Sequence, residues 1–107
     1  MGRTVIVVYR PREGKGGDLQ KLLSDHVPIL QRLGLATPKP ATMLKAADGC
    51  LIEIFEWVSA EAPRQAREYP EVKALWASFS KLCDYECPSK LKEFNTLFSE
   101  FETLKNT

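Results

Sequence analysis

The chain has 107 residues, 44% of them hydrophobic and 27% charged, with a formal net charge of +1. That describes one globular domain spanning residues 1–107, too short for two ordinary domains and too apolar for a disordered chain. A charge so near balance gives no electrostatic reason to expect nucleic acid or an anionic membrane surface as partner.

The first apolar run, Val5–Val8, is too short for a signal-peptide core or a membrane span, so the cytoplasm is the expected location. Three cysteines make an odd number for a disulfide framework, and His26 is the single histidine. Cys83 and Cys87 are spaced as neighbours on a helix, yet no second Cys/His cluster exists to complete a zinc site. Reduced thiols and no metal are the expectation.

Thr4–Arg10 reads as a strand with Val5, Val7 and Tyr9 on one face and Ile6, Val8 and Arg10 on the other. Pro11 ends it, and a glycine-rich turn follows over 12–17. Neither G-x-x-x-x-G-K-[ST] nor G-x-G-x-x-G occurs there, so the glycines make a turn and no phosphate cradle. From Asp18 to Leu33, leucines and Val27 recur at helical spacing, with Gly34 placed to end the helix. Pro28 falls opposite the apolar stripe, which predicts a bend facing solvent.

Ala41–Ala46 is a weaker strand, joined through Ala47-Asp48-Gly49 to the strongest one, Leu51–Val58. On that strand Glu53, Phe55 and Trp57 share a face, and Glu56 points to the other. Residues 59–68 form a short helix. Pro70 opens the next, whose stripe of Val72, Leu75, Trp76, Phe79 and Cys83 predicts a helix to about Tyr85. The tail over 91–104 fits either an amphipathic helix or a turn followed by a strand.

The order β-α-β-β-α, with a possible closing strand, is the α+β, ferredoxin-like split β-α-β arrangement. It predicts a four-stranded antiparallel sheet with helices on one face. The other face is apolar in either phase of the first strand, and a second copy is its simplest cover, which predicts a homodimer.

Several pieces of the chain resemble the antibiotic-biosynthesis-monooxygenase-like group of dimeric α+β barrels. They are Tyr9 with the Gly14-Lys15 turn, Gly34-Leu35, Asp48-Gly49, Glu53-Ile54-Phe55-Glu56-Trp57-x-Ser59-x-Glu61-Ala62, and Pro70-x-Val72-x-x-x-Trp76. The resemblance covers most of residues 4–80 and implies a cleft between sheet and helices. Members include cofactor-independent monooxygenases of polycyclic aromatics and haem-degrading enzymes. The oxygenases often carry a Trp at the position of Trp57 together with an Asn on the sheet. Here the asparagines are Asn95 and Asn106, away from the inner strands. The place of the haem-ligating His of other members falls near Trp76, which cannot ligate iron, so no cofactor is implied.

Six residues are candidates for a site. His26 lies in the middle of the first helix's apolar stripe, where an imidazole serves either as a general base or as a hydrogen-bonded core residue. Glu53 shares the face of Phe55 and Trp57. A carboxylate there acts as a base, pairs with an arginine such as Arg10 or Arg64, or sits at a dimer rim. Tyr9, Phe55, Trp57 and Trp76 are the aromatic candidates to hold a flat ligand, with core packing as the plainer role for each. The expected function is a small dimer binding a small hydrophobic or aromatic molecule in an apolar cleft, with cofactor-independent oxygenation of a phenolic substrate as its chemistry. The alternative is a non-catalytic small-molecule-binding or interaction domain of the same fold.

Overall fold

A computed structural model describes residues 2–104. The chain runs β1 (Arg3–Pro11), α1 (Gly16–Arg32), β2 (Thr42–Lys45), β3 (Leu51–Trp57), α2 (Ala62–Ala66), α3 (Pro70–Leu82), β4 (Cys83–Glu86) and β5 (Glu102–Leu104). Two short 3-10 turns, Pro88–Lys90 and Lys92–Asn95, lie between the last two strands. The strands form one antiparallel sheet in the order β4-β1-β3-β2-β5. It has five strands, one more than the four expected.

The strongest strand in the sequence is the centre of the sheet. β3 pairs with β1 on one side and β2 on the other, and its register sets Val5 opposite Phe55 and Val7 opposite Glu53. The hairpin turn before it is held by Asp48, whose Oδ1 accepts from the Cys50 amide at 3.0 Å, with Gly49 at φ 96°.

Helix α1 stops in a Schellman arrangement. The amide of Gly34, at φ 75°, donates to the Gln31 carbonyl, and that of Leu35 donates to the Leu30 carbonyl. Leu30 and Leu35 are both buried, which turns the chain back into the core. Pro28 is exposed and the helix continues through it, as expected.

Helices α1, α2 and α3 pack on the sheet face that carries Val5, Val7, Tyr9, Phe55 and Trp57. The small side chains Ala62 and Ala66, both fully buried, let α2 approach Phe55 and Trp57 closely.

Helix α3 ends at Leu82, three residues short of Tyr85, the sequence-based end point. Cys83 is extended (φ −156°, ψ 169°), and β4 pairs with the free edge of β1. Its backbone amide donates to the Phe79 carbonyl, and its thiol donates to the same oxygen at 3.3 Å. Cys83 and Cys87 therefore do not share a helix face. Sheet pairing outweighs the helical spacing that carried the expectation.

The tail is neither a long helix nor wholly free. Leu91 is fully buried with Val8, Ala46, Cys50 and Ile52 on the face opposite the helices, and Phe94 and Phe101 pack against the same cluster. Part of the second face is thus covered from within the chain.

Candidate functional site

Glu53 is the most completely buried charged side chain, at 0% exposure in the middle of the central strand. Taking a carboxylate out of water is costly unless donors meet it. Two do. The Tyr9 hydroxyl donates to Oε1 at 2.8 Å, and His26 Nδ1 lies 3.0 Å from both carboxylate oxygens. Tyr9 stands opposite Leu51, so it reaches Glu53 along the diagonal of the β1–β3 ladder. His26 reaches down from α1, which places it over β3 by its position in the apolar stripe.

Arg10, expected as a possible partner of Glu53, is on the other face. It pairs with Glu86 at 2.7 Å and Asp48 at 3.3 Å. Glu56 likewise faces away from Glu53 and lies 3.4 Å from Lys39.

An ionised carboxylate only accepts, so beside one Nδ1 carries a proton; in a neutral imidazole Nε2 then keeps its lone pair. Nε2 is buried and has no hydrogen-bond partner among the described residues. Its ring is fixed by T-shaped contacts with Phe55 and Phe79, at centroid distances of 5.6 and 5.2 Å. The Tyr9 phenol is held well above its ordinary pKa, by burial first and then by the charge and hydrogen bond of Glu53. It is a donor to Glu53 and no proton source.

His26 lines a cleft of about 160 Å³. The sheet contributes Val5, Val7 and Tyr9 from β1 and Phe55 and Trp57 from β3. Trp76 and Phe79 of α3 form the roof, and Tyr85 of β4 stands at one side. Phe55 and Trp57 meet edge to face at 5.1 Å, and Tyr9 stacks on Phe79 at 5.3 Å. The fold therefore brings all six sequence-predicted residues together. Tyr9, His26, Phe55, Trp57 and Trp76 line the cleft, and Glu53 lies behind His26. Tyr85 and Phe79 were missed. Helical spacing puts Tyr85 at the end of a helix, and Phe79 in the core stripe that it also serves.

The remaining depressions offer less chemistry. A groove of about 260 Å³ between α1 and residues 38–43 has Gln31 in its wall, whose amide nitrogen is already engaged by the Thr37 and Lys39 carbonyls. The glycine turn after β1 borders an open hollow with Arg12 and Lys45, and Arg12 is bonded to Asp84 and the Ser80 carbonyl. Among the described residues no three His, Cys, Asp or Glu side chains gather as a metal site, and no helix is long and apolar enough to cross a membrane.

No family model matches the chain, and neither a curated protein nor a solved structure is significantly similar to it.

Proposed function

We propose that the cleft binds a small aromatic or phenolic molecule and that His26 acts on it as a general base. One observation carries this reading: His26, which lines an aromatic-walled cleft, has its Nδ1 held by Glu53 and its buried Nε2 without a partner among the described residues. Such a nitrogen is costly to leave unpaired in a core built only for stability. It is ready to accept a proton in a site from which water is largely excluded.

The chemistry we assign is cofactor-independent monooxygenation. A phenolic O–H or an activated C–H loses its proton to Nε2, and the electron-rich anion reacts with O₂. One oxygen atom stays on the substrate and the other leaves as water, with the substrate supplying the electrons. Trp57, Trp76 and Tyr9 hold the ring plane. The strand order supports a ferredoxin-like scaffold with an added edge strand, and with the sequence motifs it supports membership of the monooxygenase-like α+β barrels. Oxygen uptake with activated phenols tests the assignment. His26→Ala and Glu53→Gln should each lower turnover at least about a hundredfold, the typical contribution of a positioned base. Turnover that survives both changes would falsify the scheme.

The second reading is a binding domain without turnover. It is favoured by the absence, among the described cleft residues, of a further carboxylate, amide or cation to handle an oxygenated intermediate. Ligand retention without oxygen uptake selects it.

We also propose a cytoplasmic homodimer. Leu91 and its neighbours leave Ile6 of the outer sheet face 44% exposed, and Leu97 and Phe98 are 90% and 81% exposed. Those side chains are the surface a second copy would bury. Light scattering that returns the monomer mass across micromolar concentrations removes the dimer.

A further inference from the structure

We infer that the cleft selects a neutral, single-ring weak acid and holds it as an ion pair with His26, discriminating against ligands that arrive already charged. The inference rests on the base assignment above and adds the charge and size of the ligand.

Size follows from the space. An apolar cavity of about 150 Å³ accommodates a benzene ring, and the cleft measures about 160 Å³. A single ring fills it, and a fused second ring has to extend past Tyr85, which is 57% exposed at the side of the cleft.

Charge follows from the groups facing His26. From β3 come Glu53, Phe55 and Trp57, from β1 Tyr9, and from β4 Tyr85; α3 presents Trp76 and Phe79, and among the described residues no cationic side chain lines the cleft. With a neutral imidazole the site carries the single negative charge of Glu53. A phenol enters without altering that. Its O–H bond breaks, an N–H bond forms at Nε2, and the product is phenolate beside imidazolium with the same net charge. The imidazolium then lies between two anions, Glu53 at Nδ1 and the phenolate at Nε2, which is the arrangement that favours its charge. A carboxylate brings a second negative charge beside Glu53 and is accommodated only when His26 has taken a proton from solvent.

Nitrogen-15 NMR of the wild-type protein reads this directly, because His26 is the only histidine. The free protein should show a protonated Nδ1 and a bare Nε2. Adding 4-nitrophenol, at a pH below its own half-ionisation, should protonate Nε2 and bring up the phenolate absorbance. By calorimetry phenol should bind at least about tenfold more tightly than benzene, the effect expected of a charge-assisted hydrogen bond, and more tightly than benzoate or benzylammonium. Glu53→Gln should reduce the ionised fraction of bound 4-nitrophenol at least about tenfold.

The inference is overturned if Nε2 carries the only imidazole proton in the free protein. It is also overturned if benzoate or benzylammonium matches phenol at neutral pH. The two readings fail separately. Phenol preference without oxygen uptake sinks the oxygenase and keeps the charge selection; oxygen turnover with no preference for phenol over benzene or benzoate does the reverse.

Discussion

Tyr9 and Glu53 sit on neighbouring strands, one diagonal step apart, and the phenol donates to the carboxylate at 2.8 Å where both are buried. Removing that hydroxyl leaves Glu53 with His26 as its remaining side-chain donor. Tyr9→Phe should therefore cost about 1.5–3 kcal/mol, the range for a hydrogen bond to a charged group. Chemical denaturation of the two proteins measures it. A change below a few tenths would mean that solvent reaches the carboxylate.

The same burial makes the protein sensitive to alkali. The Tyr9 phenol is raised by burial and by Glu53, and the Cys50 thiol is raised from 9.0 to about 11, by burial first and then by Asp48. Both stay neutral in the fold at pH values where the unfolded chain has begun to ionise. The unfolded chain then binds fewer protons, so their contribution is complete below about pH 9 and is lost as pH rises through the folded values. Urea midpoints measured from pH 8 upward should fall across that range, and the fall should be shallower in Tyr9→Phe.

The three thiols should separate by reactivity. Cys87 is exposed and its pKa is lowered by the Ser89 hydroxyl 3.2 Å away, whereas Cys50 and Cys83 are buried and raised. Brief iodoacetamide treatment at neutral pH, read by peptide mass mapping, should modify Cys87 alone. The other two should react only after denaturation.

Leu91 tests the role of the tail. Its side chain is fully buried against Val8, Cys50 and Ile52, on the face away from the cleft. Leu91→Ala should cost about 2–5 kcal/mol while leaving the affinity for phenol within about twofold, since no cleft residue touches the deleted atoms. Stability and affinity falling together would tie the tail to the site.

Gly34→Ala isolates the backbone. The position has φ 75° with open space where a Cβ would go, so the penalty is conformational and no clash contributes. About 1–2 kcal/mol is expected, readable as a lowered melting temperature.

Much of the site was legible because it depends on periodicity. Alternation along 51–57 places Glu53, Phe55 and Trp57 on one face, and the helical repeat places His26 in the buried stripe. Their meeting needs only the two faces to be the same one. What periodicity does not carry is register and edge pairing. Tyr9 reaches Glu53 because β1 and β3 pair with Val7 opposite Glu53, and a slip of two residues would keep every face while changing the offset between the pair. Cys83–Glu86 has the spacing of a continuing helix, and only the vacant edge of β1 makes it a strand. Tyr85 reaches the cleft through that edge pairing, which helical spacing does not reveal. The tail was open between helix and strand because its decisive contact, Leu91 on Val8, is long-range.

Pro28 lies two residues past His26 and has no amide to offer, so the Ser24 carbonyl lacks its usual helical donor. The turn that carries the imidazole is consequently one backbone hydrogen bond short. The aim of the ring comes instead from Glu53 below it and from Phe55 and Phe79 beside it. The helix delivers the base, and the sheet holds its bearing. Grafting this helix onto another scaffold would transplant a histidine and leave the base behind.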